Sequence, residues 1–82
     1  MTTEVQNRRP QTFGEKAVGL SFNPSGDDLV HQIKTRFADD IDEMNALRLR
    51  TEDPEVKRLA SIAITEIQGA QMWAVKAATW KS

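Results

Sequence analysis

An all-α fold is predicted: a short N-terminal segment followed by two long antiparallel helices, assembling into a compact helical homo-oligomer. Three observations predict it. Apolar residues recur at three- and four-residue steps through two long stretches. Thr51-Glu52-Asp53-Pro54 breaks the pattern between them, with Asp53 suited to cap a helix and Pro54 suited to its first position. The second stretch is apolar on more sides than one neighbouring helix can cover, and such a helix must be buried on more than one side.

The elements follow in chain order. Residues 1–12 are polar, carry Arg8, Arg9 and Pro10, and show no periodicity. They are read as an arm preceding a single domain over residues 13–82. Arg8 and Arg9 are either a solvated pair or a contact for an anion. Three of the four glycines and Pro24 fall between Phe13 and Gly26. Within that segment, Glu15 to Leu20 suits either a short helix or an extended stretch. Phe22-Asn23-Pro24-Ser25-Gly26 then reads as a tight turn, with Asn23 pushed toward extended geometry by the following proline. Ser25 or Asp27 can cap the helix beyond it.

The first long helix is expected from about Asp27 to about Leu49. Val30, Ile33, Phe37, Ile41, Met44 and Leu47 make its apolar stripe, and Lys34, Asp39, Asp42 and Glu43 lie on the other face. The second is expected from Pro54 to about Trp80. Val56, Leu59, Ala60, Ala63, Ile67, Ala70, Ala74 and Ala77 form one stripe, with Ile62, Ile64, Trp73, Val75 and Trp80 partly outside it. Ala60, Ala63, Gly69, Ala70 and Ala74 are small enough to admit a close neighbour.

Composition narrows the function. A chain of 82 residues makes one small domain, and small domains commonly need disulfides, a metal or oligomerisation. Cysteine is absent and His31 is the one histidine, so neither a disulfide nor a structural zinc site is expected. Oligomerisation is the remedy left. Eleven basic and twelve acidic residues give a net charge of −1, unlike the basic stripe of a DNA- or RNA-duplex binder. No run of apolar residues is long enough for a membrane span, and Met1 to Gln11 lacks the apolar core of a signal peptide. The expected location is the cytoplasm.

Catalytic machinery is hard to find. No cysteine nucleophile exists, the serines have no evident base, and His31 reads as a boundary residue of the first long helix. Asp39, Asp40, Asp42 and Glu43, beside Lys34 and Arg36, read as a solvated face. The expectation is a binding protein that uses no cofactor. The turn before the first long helix is the better candidate site. A helix N-terminus offers unpaired N–H groups and a dipole that favours an anion. Phe22 can stack on a base, and Lys34 lies about two turns further on. The bland alternative makes Phe22 and Pro24 a hydrophobic staple. A second constellation runs from Gln68 to Lys76; lysines at Lys76 from several copies around an axis would form a ring that attracts a polyanion.

Several blocks carry a resemblance. Ser21-Phe22-Asn23-Pro24-Ser25, Val30-His31-Gln32-Ile33-Lys34, Arg58-Leu59-Ala60-Ser61-Ile62-Ala63-Ile64-Thr65-Glu66 and Ala70-Gln71-Met72-Trp73-Ala74-Val75-Lys76-Ala77 stand in this order. Together they resemble the phage anti-CBASS sponges, which bind the cyclic oligonucleotide signals of a bacterial defence system, and which share a domain with Thoeris-blocking sponges. The resemblance spans about Gly14 to Trp80.

It implies a compact hexamer acting in the host bacterial cytoplasm, with cyclic dinucleotides held between paired protomers and cyclic trinucleotides held where three protomers meet. By position, Phe22 resembles the family's pocket aromatic, often tyrosine, and Lys34 its pocket lysine. Pro24, Ser25 and Gly26 would form the pocket lip and offer backbone donors. Lys76 resembles a basic residue of the last helix that is arginine in some members; lysine lacks arginine's bidentate fork. The competing reading is a helical module that docks on a host protein through its apolar face.

Overall fold

The computed structural model describes residues 9–82, and all regular structure among them is helical. Helix α1 covers Phe13–Ala17, α2 covers Asp28–Arg50 and α3 covers Pro54–Ala78. Arg8 and the rest of the expected arm before Arg9 lie outside the described residues.

The short N-terminal element is helical, and it starts two residues before the segment expected from the sequence. The cause is local. Thr12 accepts a hydrogen bond from the Glu15 N–H at 3.1 Å, and the Glu15 carboxylate accepts one from the Thr12 N–H at 2.9 Å. This reciprocal capping box satisfies two donors that a helix start would otherwise leave orphaned. Arg9 reinforces it by gripping the Glu15 carboxylate with both terminal guanidinium nitrogens, at 3.0 and 2.8 Å. The helix stops where Gly19 takes a positive φ of 63°.

Asp27, not Ser25, caps α2; its carboxylate accepts from the N–H groups of Leu29 and Val30 at 2.8 and 3.3 Å. Asp53 caps α3 through the Glu55 N–H at 2.9 Å, with Pro54 in the first turn as the sequence predicts. Each such cap contributes about 1 kcal/mol. Helix α3 ends at Ala78, two residues short of Trp80, where the Trp80 N–H turns to the Ala77 carbonyl at 3.4 Å and leaves the i→i−4 pattern.

Helix α2 is the middle element, with α1 on one side and α3 on the other. The core is built from Val18, Ala38, Ile41 and Ile64, with Leu20, Phe37, Met44 and Ile67 packed around it. The α1–α2 contact is close enough to require glycine. A Cβ on Gly14 would sit 2.1 Å from the Ala38 carbonyl oxygen, and the Gly14 N–H donates to Asp42 at 2.6 Å. Arg48 ties the three helices together: its guanidinium lies 5.1 Å from the Phe13 ring centroid and donates to Asn45 at 2.9 Å and Ser61 at 3.1 Å.

Two sequence expectations need correction here. The inward stripe of α3 is rotated: Ala60, Ile64 and Gln71 are buried, while Leu59, Ala70 and Ala77 face outward. Lys34 was expected on the polar face of the first long helix; it is buried instead, at 6% exposure. Both follow from azimuth. A lysine at the boundary of an apolar stripe can lay its methylene stem along the core and carry its ammonium to a polar end.

The assembly of helices is only 12 Å thick between Cα atoms along its shortest axis. The protomer is therefore flat, 43 by 37 Å in its other two dimensions, with apolar side chains left on its outer surface: Leu59, Ile62, Met72, Trp73 and Trp80 are all exposed. No described helix is long and apolar enough to cross a membrane.

Candidate functional site

The loop joining α1 to α2, residues 19–27, is held at several points. Phe22 N–H donates to the Gly19 carbonyl at 2.9 Å, and Gly26 N–H donates to the Asn23 carbonyl at 3.0 Å. Gly26 takes a φ of 64°, a conformation that glycine adopts without a Cβ penalty. The Asn23 side chain spans the turn in both directions. Its amide nitrogen donates to the Asp27 carbonyl at 2.9 Å, and its amide oxygen accepts from the Asp27 N–H at 3.2 Å.

Lys34 fastens the other half of the loop. Its stem runs up from α2, and its ammonium donates to the Gly19 carbonyl at 3.0 Å and to the Phe22 carbonyl. An ammonium has three donors, so one remains. No described carboxylate lies within ion-pairing distance of Lys34. The same nitrogen sits 5.6 Å from the centroid of the Phe22 ring. That ring is 71% exposed. The local result is a buried, unneutralised cation beneath a loop that holds an aromatic ring in solvent. Such an arrangement can take a planar base on the ring and an anionic group near the ammonium.

The sequence-predicted residues are not all gathered at this place. Phe22, Pro24, Ser25 and Gly26 lie on one exposed loop, with Lys34 under it. The backbone donors expected from the turn and helix start are largely engaged within the chain: Gly26 N–H by Asn23, and the N–H groups of Leu29 and Val30 by Asp27. Lys76 sits elsewhere, in a depression of about 260 Å³ that it lines with Gly69, Met72 and Trp73. No residue of the α1–α2 loop lines that depression.

Sequence reasoning passed over two features. One is Asn23, whose bridging role was signalled only by an Asn-Pro pair four residues before an Asp cap. The other is a second depression of about 260 Å³, where Ser25 and Asp27 meet Ala78, Thr79, Trp80 and Lys81. It arises because antiparallel α2 and α3 bring the start of one helix beside the end of the other. No local pattern in the sequence marks such a meeting.

Comparison with curated proteins and with solved structures returned no match. A family model does match: the one described as the Acb2/Tad1 hairpin domain covers residues 15–79. That span takes in the end of α1, the loop, both long helices and the turn between them, so the chain belongs to the Acb2/Tad1 hairpin family.

Proposed function

We propose that this chain is a phage-encoded sponge that binds cyclic oligonucleotide signals, holds them without cleaving them, and so keeps them from a defence effector in the host bacterial cytoplasm. The observation that carries this reading is the Lys34 ammonium. It is buried, bound to two loop carbonyls, free of any described carboxylate, and set beside an exposed aromatic ring. A charge in such surroundings is screened weakly. A phosphate approaching the rim meets the remaining N–H without having to displace a counter-ion, while Phe22 stacks on a base. Pro24, Ser25 and Gly26 form the lip.

The functional unit in this reading is a homo-oligomer, a hexamer by family resemblance. A flat protomer with two exposed tryptophans has an unclosed apolar surface. Gly69 adds a separate reason. A Cβ there would meet nothing within 4 Å, so packing inside the chain does not call for a glycine. Glycine costs an α-helix about 1 kcal/mol relative to alanine. Contact from outside the chain accounts for it. Copies meeting on this face would bring Lys76 and Trp73 together from several protomers, giving a second, trinucleotide-sized place of positive charge.

Mass measurement, titration with a panel of cyclic di- and trinucleotides, and proteolysis of the loaded protein test the reading. The expected result is an oligomer that binds and then releases intact ligand. A linear product would make the protein a phosphodiesterase. The exposed Met72, Trp73 and Trp80 also favour a second reading, a helical module docking on a host protein. A monomer that binds no nucleotide would select that reading.

A further inference from the structure

We propose that Asn23 is the positioning residue for Phe22: its two-way bridge to the Asp27 backbone holds the loop so that the ring stands preformed for stacking. This rests on the cyclic-nucleotide reading and deepens it. An aromatic side chain that is 71% exposed receives little fixation from its own packing. Its placement must come from its backbone. On the N-terminal side that backbone is fixed by the Phe22 N–H on the Gly19 carbonyl, and Lys34 binds both that carbonyl and the carbonyl of Phe22 itself. On the C-terminal side the residue after Phe22 is Asn23, and its amide is the link to helix α2. One end of the amide donates to the Asp27 carbonyl at 2.9 Å and the other accepts from the Asp27 N–H at 3.2 Å. Asp27 is itself locked as the cap of α2. The carbonyl of Asn23 closes the same turn through Gly26.

Phe22 is thus held by two side chains, Lys34 on the carbonyls of Gly19 and Phe22 and Asn23 on the backbone of Asp27. A recognition element held in its bound conformation avoids the ordering cost of binding. The amide supplies a donor and an acceptor on two separate atoms, one for each backbone group of Asp27. A serine hydroxyl is shorter and has a single oxygen for both, and alanine has neither.

The test is a double-mutant cycle on the full-length protein, titrated calorimetrically with cyclic di-AMP and cyclic GMP–AMP, alongside amide hydrogen exchange of the free protein. Asn23→Ala is expected to weaken binding on the order of tenfold when Phe22 is present, and by less than twofold in a Phe22→Ala background. Asn23→Ser is expected to fall between, which keeps the test open should Asn23→Ala fold poorly. Exchange at the Phe22, Gly26 and Asp27 amides should quicken in Asn23→Ala, with the amides of mid-α2 unchanged. Equal losses in both backgrounds, or no loss, would overturn the role. If the unsubstituted protein binds neither probe, it is the sponge reading that has failed. Exchange then still decides whether Asn23 holds the loop: unaltered rates at the three loop amides overturn that, and faster rates support it.

Discussion

Lys34 holds Phe22 twice, by a hydrogen bond from its ammonium to the Phe22 carbonyl and by placing the same nitrogen 5.6 Å from the Phe22 ring centroid. One side chain therefore sets the backbone, the charge and the ring of the candidate site. Loss of Lys34 acts on all three, and substitutions must be chosen to separate them.

Lys34→Met keeps most of the buried stem and removes the charge and the donors. It is expected to weaken cyclic-dinucleotide binding by about 1.5–3 kcal/mol, roughly tenfold to a hundredfold, with the helical circular dichroism intact. Both variants leave two loop carbonyls unpaired; Lys34→Ala should lower the melting temperature further, because it also opens space beside the core. Calorimetric titration and thermal melts on both variants check this. Undiminished affinity in Lys34→Met would remove the ammonium from the site.

Phe22→Ala is expected to leave the melting temperature within a degree or two of the parent, since the ring packs little in the chain. Binding should weaken by about 1–3 kcal/mol, the range for a base stacked on an aromatic side chain. Phe22→Tyr should bind as the parent does. A Phe22→Ala protein that unfolds would show the ring to be a structural staple.

Gly14→Ala is expected to destabilise the protomer by about 1–3 kcal/mol, as overpacking does. The added methyl would lie 2.1 Å from the Ala38 carbonyl oxygen, so α1 must shift and loosen its 2.6 Å bond to Asp42. Urea unfolding measures the loss. A variant as stable as the parent would mean that α1 is not docked on α2 in solution.

Two neighbouring charges on α3 should behave in opposite ways. Gln71 is 6% exposed, so Gln71→Glu places a carboxylate in a buried position and should unfold or strongly destabilise the chain itself. Ala70 faces outward from the protomer. Ala70→Glu should leave helix content unchanged and act only on the proposed assembly, splitting it and reducing nucleotide binding with it. Sedimentation combined with circular dichroism separates the two outcomes. An Ala70→Glu protein that remains assembled would take Ala70 out of the interface.

Acid should release α1 before the hairpin. Hydrogen bonds from Arg9, and then from the Thr12 backbone, lower the Glu15 carboxyl from 4.5 to about 2. Its folded pKa is thus depressed, so the unfolded state takes up the proton first. The stabilisation is complete above about pH 4.5 and is lost as pH falls toward about 2. Partial exposure of the pair keeps the effect small. Glu15→Gln should flatten the dependence of α1 amide exchange on pH over that window. An unchanged profile would mean that another group controls it.

How far the site could be read in advance differed residue by residue. The Phe22 loop was legible because Asn23-Pro24 and Gly26 punctuate it, and Lys34 because it stands two turns into a periodic helix. The inward turn of Lys34 was not legible. A lysine beside an apolar stripe reads as solvated, and the carbonyls that recruit it belong to Gly19 and Phe22, fifteen and twelve residues earlier. The Asn23 bridge escaped notice for a related reason: its partner is a backbone, which has no sequence signature.

The sequence by itself determined the helical class, the break at Asp53-Pro54, the cap choices at Asp27 or Ser25, and the excess of apolar surface on the second long helix. These are local properties, set by periodicity, capping chemistry and proline within a few residues. Tertiary structure decided that Ile64 and Gln71 turn inward while Leu59, Ala70 and Ala77 turn outward. A helix apolar on two sides has no unique azimuth, and its rotation is chosen by the shape of α2 against which it packs. The docking of α1 was decided in the same way, since only contact with Ala38 and Asp42 explains the absence of a side chain at Gly14.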